Sequence, residues 1–274
     1  MDWLSRQFST RVIVLMPIAI AINIVLGYTV QTVLKLPIYL DSIGTILVGV
    51  LAGPIAGALT GILSNLIWQY APGIGGGTIG PFAITAGVIG LLAGLWGYLG
   101  VYRPRPTSGA TLYLSAIVGV VIILLLASRI YDNPAYTDPN IGGYPTWVFT
   151  AVIAIAVVAS IGVAGFILLR RDSAGAWVAV AGAVTGIVAA IVSAPIAAIA
   201  FGGVTGSGAD LIVAALRQGG ADVYQASLGQ GLFSDPIDKT ITSFVVFIIL
   251  AGLSPRVVAR FPNGGRLTTA EPTT

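Results

Sequence analysis

Asp41 is the acidic residue whose position is most informative. It begins an apolar run, in the stretch YLDSIGT at 39–45. A charged side chain inside hydrocarbon costs at least ~2.5–3.5 kcal/mol on insertion scales, so such a residue usually has a function. Two compatible interpretations follow. Asp41 or Ser42 caps the free N–H groups of a helix that begins there, or Asp41 binds a ligand or joins a polar network.

A second group of polar and aromatic residues ends the apolar run at 55–70. Asn65, Trp68 and Gln69 are spaced i, i+3, i+4, so they share one helix face, and Tyr70 follows them. An aromatic belt at the lipid headgroups is the alternative for Trp68 and Tyr70. That alternative does not account for the two amides.

Three more acids precede or begin later apolar runs. Asp210 follows a glycine-rich stretch, and Asp235 and Asp238 lie just before Lys239. Asp235 and Lys239 are spaced i, i+4, so an ion pair is the simplest interpretation. Acids, amides and aromatic rings at one membrane face suit a small organic ligand with a cationic or amine-bearing ring. The predicted binding residues are Asp41, Asn65, Trp68, Gln69, Tyr70, Asp210, Asp235 and Asp238.

The residue types that the chain lacks limit its chemistry. It has neither Cys nor His, which excludes thiolate nucleophiles, Cys/His zinc sites and imidazole proton relays. No nucleophile–base pair stands out, so we do not expect an enzyme. We also expect no metal, no cofactor and no nucleic-acid partner. The glycine-rich stretches at 73–80 and 202–208 lack the Lys-Ser/Thr ending of a phosphate loop, and we interpret them as gates or tight reversals.

Composition indicates which elements position these groups. The chain is 56% hydrophobic and 8% charged, whereas soluble domains carry about 25% charged residues. We therefore predict an all-α integral membrane protein of about eight transmembrane helices. The predicted spans are 11–34, 38–51, 55–70, 78–99, 110–130, 146–169, 174–201 and 239–253, with a surface loop at 131–144 and an interfacial helix at 209–216.

The basic residues predict the orientation of these spans. With a cytoplasmic N-terminus, nine arginines fall inside and only four basic residues fall outside, which follows the positive-inside rule. The inside residues are Arg6, Arg11, Arg103, Arg105, Arg170, Arg171, Arg256, Arg260 and Arg266, and the outside ones are Lys35, Arg129, Arg217 and Lys239. Both termini are therefore predicted to be cytoplasmic.

Several stretches carry a resemblance to a known family. They are PIYLDSIGT at 37–45, LAGPIAGALTG at 51–61, SAPIAA at 193–198, FGGVTGSGAD at 201–210 and SDPIDK at 234–239. Together they resemble the substrate-binding S components of energy-coupling factor (ECF) transporters. The resemblance covers about 11–98 and 177–262, and similar stretches occur in membrane sensor regions of some bacterial histidine kinases.

The resemblance implies a fold and a set of partners. Such S components bind a vitamin or related micronutrient near the outer face of a prokaryotic plasma membrane, and associate with a transmembrane T subunit and two cytoplasmic ATPase subunits. It implies a six-helix core, from 1–100 and 174–262, with an inserted helical hairpin at 110–169. We also expect a flexible tail at 263–274. The chain is accordingly expected to be a substrate-capture subunit. The rival hypotheses are a membrane sensor or interaction module and a stand-alone secondary transporter.

The first span contains the nearest match to the family's motif for docking the T subunit. Ala19, Asn23 and Gly27 are spaced i, i+4, i+8 and share one face. Asn23 stands where the family has a small residue. The alternative is that this face packs against other helices of the same chain.

Overall fold

The structure, a computed structural model, describes residues 2–74, 78–128 and 146–268. This part of the chain is helical, with 77% helix and no strands. The loop predicted at 131–144 lies outside the described residues, as do Arg129 and the end of the predicted tail from residue 269 onward.

The helices fall close to the apolar runs of the sequence. A π-helical turn spans Tyr28–Val33 and a 3₁₀ turn spans Gly80–Phe82. The α-helices are α1 (Asp2–Arg6), α2 (Thr10–Gly27), α3 (Ile43–Ala52), α4 (Pro54–Tyr70), α5 (Ala83–Tyr98), α6 (Ala110–Ser128), α7 (Thr146–Arg170), α8 (Ala174–Phe201), α9 (Asp210–Gln218), α10 (Val223–Gly252), α11 (Pro255–Val258) and α12 (Gly264–Leu267).

Helix α10 differs most from its prediction. It begins at Val223, whereas the sequence predicted a start at Lys239. Asp222 caps the helix by accepting a hydrogen bond from the Gln225 backbone, and the Gln225 side chain accepts one from the Asp222 backbone. This capping box fixes the start of a 30-residue helix that continues through Pro236. Asp235 and Asp238 therefore lie within a helix rather than ahead of one.

Among the described residues, three helical segments are long and apolar enough to cross a membrane: Thr10–Val33, Gly80–Tyr98 and Ala174–Phe201. They are consistent with a helical membrane protein. Helix α3 has 10 residues and so is about 15 Å long, half of a hydrocarbon core of about 30 Å. Gly53 ends it with a φ of 122°, and Pro54 begins α4.

Close backbone contacts hold many of the helices together. Helices α2 to α5 pack on one another, and α8 packs along α10. A Cβ added at Gly90 would lie 2.2 Å from the carbonyl carbon of Gly57, and one added at Gly186 would lie 2.4 Å from the Asp235 carbonyl oxygen. Small residues allow this approach, as expected where helices associate by contact rather than by the hydrophobic effect.

The segments predicted to be cytoplasmic meet at one end of the molecule, which we call the basic end. Arg266 donates to the Tyr98 carbonyl and lies over its ring, and Arg11 donates to the Arg260 carbonyl. Thr107 donates its backbone N–H to the Arg171 carbonyl. Arginines that are far apart in sequence therefore share one end of the molecule.

The face predicted to dock a partner is instead buried inside the chain. Ala19 is 0% and Asn23 1% exposed, and Gly27 packs against Trp68. The Asn23 amide nitrogen donates to the hydroxyls of Thr45 (2.8 Å) and Ser64 (3.0 Å), and its oxygen accepts from the Gly44 N–H (2.7 Å). These contacts favour the alternative interpretation, that this face packs within the chain, where Asn23 joins α2 to α3 and α4.

Replacing Asn23 with Ala is expected to destabilise the chain by about 1–3 kcal/mol, because the buried Gly44 N–H loses its acceptor. Thermal unfolding in detergent measures the change. The control is Ile22→Ala, at an exposed neighbouring position. Unchanged stability of Asn23→Ala, together with loss of a partner subunit, would restore the docking assignment.

Candidate functional site

A cavity of about 410 Å³ lies at the end of the molecule opposite the basic end. The C-terminal ends of α4 and α8, the N-terminal end of α5 and the first half of α10 surround it. The segments after α2 and around both glycine-rich stretches complete its wall. The lining residues used below are Tyr28, Gln31, Tyr39, Asp41, Ser42, Asn65, Trp68, Thr78, Phe82, Thr85, Ala197, Thr205, Gly206, Asp210, Ser227, Gln230, Asp235 and Lys239.

Five of the eight predicted binding residues line this cavity. They are Asp41, Asn65, Trp68, Asp210 and Asp235. Trp68 is buried, and its indole N–H donates to the Ile74 carbonyl at 3.1 Å, so it does not belong to an aromatic belt. Residues separated by up to 194 positions, Asp41 and Asp235, therefore contribute to one cavity.

The other three predicted residues lie outside the cavity lining. Gln69 accepts a hydrogen bond from the Gly80 N–H at 2.7 Å and so holds the first glycine-rich stretch. Tyr70 is 81% exposed, which fits the alternative of an aromatic belt. Asp238 is buried behind the cavity wall.

A buried ionic cluster stands at one side of the cavity. Lys239 forms ion pairs with Asp238 and, at 3.3 Å, with Asp41, and it donates to the Ser42 hydroxyl at 2.9 Å. Asp41 also accepts from the Gln31 amide at 3.0 Å. Its side chain makes no capping bond to α3, so the network interpretation of Asp41 holds. Asp235 is not an ion-pair partner of Lys239, contrary to the simplest expectation.

The cluster also fixes the segment between α2 and α3. The Asp238 carboxylate accepts the backbone N–H groups of Tyr39 (3.1 Å) and Leu40 (2.7 Å). The Tyr39 hydroxyl accepts a hydrogen bond from Gln230 at 2.8 Å. Because Leu40 has a φ of 51°, these bonds hold a backbone conformation that non-glycine residues rarely adopt.

The two glycine-rich stretches meet at the cavity. The Thr78 hydroxyl of the first donates to the Thr205 carbonyl of the second at 2.9 Å, and the rings of Phe82 and Phe201 stack with centroids 5.8 Å apart. Asp210 accepts bonds from the backbone N–H groups of Thr205 and Gly206. Asp210 thus shapes the second stretch in addition to lining the cavity.

Three polar side chains of the lining retain hydrogen-bonding capacity. The hydroxyls of Thr85 and Ser227 are buried and have no hydrogen-bond partner in the part of the chain that the structure describes. Asn65 forms no side-chain hydrogen bond to another described residue. Buried polar groups are normally satisfied, so these three groups are available to a polar ligand in the cavity.

Sequence reasoning missed most of the polar lining. Gln31, Tyr39, Thr85, Ser227 and Gln230 were not singled out. The spacing of Gln230 could have drawn attention to it, because it lies one helical turn before Ser234 and donates a hydrogen bond to the Ser234 hydroxyl. For the others no local pattern points to the cavity, since only the packing of distant helices brings them together.

Comparisons with known proteins identify no relative. No protein-family model, no curated protein and no solved structure matches the chain.

Proposed function

We propose that this chain is the substrate-capture subunit of an ECF-type vitamin or micronutrient importer. The observation that supports this most is the polar and aromatic cavity at the end opposite the arginines. Its volume, about 410 Å³, falls within the range of small-molecule sites. With the arginines on the cytoplasmic side, the cavity faces outward, where an importer collects its substrate from outside the cell.

The arrangement of helices fits the proposed core and hairpin. Helices α2 to α5, α8 and α10 supply the cavity and its supporting contacts, whereas α6 packs on α7, α8 and α10. A six-helix core with an added pair is therefore a natural division of the eight proposed spans. The ten-residue α3 would enter the bilayer without crossing it alone and would span it with its flanking segment.

A stand-alone secondary transporter is the second candidate. The observation that favours it is the position of Asp235 and Asp238 well inside the 30-residue α10. Carboxylates near the midplane of a membrane often belong to ion or proton pathways. A transporter of this kind needs no ATPase, and this difference separates the two candidates.

Affinity purification from the chain's native membranes tests the proposal. A tagged chain, extracted in mild detergent, is expected to retain one polytopic membrane partner and two nucleotide-binding ATPase subunits. A tagged unrelated multi-pass protein from the same membranes is the control. Repeated recovery of the chain without any ATPase would contradict the importer and favour the secondary transporter.

A further inference from the structure

The charges beside the cavity do not balance. Asp41 and Asp238 pair with the single ammonium of Lys239, and Asp235 lies one helical turn before it on α10. With all four groups ionised, their formal charge would be −2. Asp238 is 0% and Asp235 5% exposed, so water compensates this excess poorly, and unpaired buried charge is costly.

Asp235 is a carboxylate of the cavity wall that forms no ion pair with a described residue. Lys239 is within ion-pair distance of Asp41 and Asp238 and hydrogen-bonded to Ser42. Asp235 lies one helical turn before Lys239 and is not one of its ion-pair partners. It lines the cavity, whereas Asp238 does not. A positive charge that enters the cavity would therefore meet Asp235.

The cavity suits an organic cation better than an inorganic ion. Its lining includes Tyr28, Trp68 and Phe82, and aromatic faces attract organic cations. The unpartnered hydroxyls of Thr85 and Ser227 add two hydrogen-bonding groups that point to a polar ligand independently of the acids. Within the described residues no group of three or more potential ligands could hold a metal ion.

We propose that the cavity binds a planar organic cation, with the Asp235 carboxylate as its counter-ion, and discriminates against carboxylate-bearing molecules. The discrimination follows because the cavity's lysine is already neutralised by two carboxylates. This inference rests on the proposed function, since it specifies the substrate class of the same site.

Two planar probes of similar size and opposite charge test the inference on the full chain in detergent. Benzamidinium is expected to raise the thermal unfolding temperature of the wild-type chain, and benzoate is not. In Asp235→Asn, which keeps the side-chain volume, the apparent Kd for benzamidinium should rise at least about tenfold. Asp222→Asn is the matched control: it removes one carboxylate from an exposed position of the same helix, and Asn also caps helices well.

The molecule that co-purifies with the wild-type chain supplies a second readout, which does not depend on the variant folding. It should carry a basic or quaternary nitrogen. Three results would overturn the inference while leaving capture itself intact. They are a co-purifying carboxylate, a rise in unfolding temperature with benzoate that equals or exceeds the rise with benzamidinium, and an unchanged benzamidinium affinity in Asp235→Asn. If neither probe raises the unfolding temperature of the chain and no small molecule co-purifies, both the inference and the proposed function are contradicted.

Discussion

Lys239→Met is expected to destabilise the chain by about 3–5 kcal/mol, the usual cost of removing one partner of a buried ion pair. The Asp238 side chain is 0% exposed, and Lys239 is its only ion-pair partner among the described residues. The backbone N–H groups of Tyr39 and Leu40 remain as donors, but they do not neutralise the charge. Thermal unfolding followed by Trp fluorescence measures the loss.

Two further variants separate this cause from a general effect of losing a lysine. Lys35 is the only other lysine of the chain and is exposed, so Lys35→Met should leave stability nearly unchanged. Adding Asp238→Asn to Lys239→Met should recover part of the lost stability, because the uncompensated charge is gone. If the double variant is no more stable than Lys239→Met alone, the charge is not the cause.

Gly186→Val is expected to have the second large effect, at about 3 kcal/mol, the upper end for overpacked cores. A Cβ at position 186 would meet the Asp235 carbonyl oxygen and the Pro236 Cα at 2.4 Å each, and neither backbone atom can rotate away. Helices α8 and α10 would have to separate where Asp235 faces the cavity. The variant should therefore lose both stability and ligand binding.

Gly165→Val, on α7, is the matched control for this prediction. A Cβ there has no neighbouring atom within 4 Å, so thermal unfolding should change little. Equal unfolding temperatures for the two valine variants would show that α8 and α10 are not in the close contact described here.

Long apolar runs made the helices predictable. The bounds of α8 match the predicted 174–201, and α4 begins one residue before the predicted 55. Hydrophobicity over a window of this length is a strong signal, and Gly53-Pro54 marks a clear break. The start of α10 was missed because its first turns are polar, although Asp222 and Gln225 carry the spacing of a capping box.

The cavity was less predictable than the helices. Asp41 and Asp235 were chosen because charge is rare in apolar sequence, and both line the cavity. Asp238 was chosen for the same reason and instead binds backbone N–H groups behind the wall. Composition indicates that an acid has a role, but only the packing of α10 against the segment before α3 decides which acid faces the cavity.

A sequence echo shows the same limit. The pattern T-G-x-x-[SA]-[ND]-L-I occurs at 60–67 and again at 205–212. Thr60 lies within α4, whereas Thr205 lies in the turn before α9. The two copies do not adopt the same local structure, although Asn65 and Asp210 both line the cavity. The likeness is therefore one of sequence and not a structural repeat.

The most direct test of capture is native mass spectrometry of the chain purified from its own membranes, with and without a blocked cavity. Ala197→Trp places a large ring at the cavity wall, and Ala198→Trp places the same ring at the next position, outside the lining. We predict that the wild type and Ala198→Trp retain the mass of one small organic molecule, and that Ala197→Trp loses it while keeping its fold. Capture by this cavity would be contradicted if the wild type carries no bound molecule in preparations from nutrient-starved and fed cells. It would also be contradicted if Ala197→Trp retains the bound molecule.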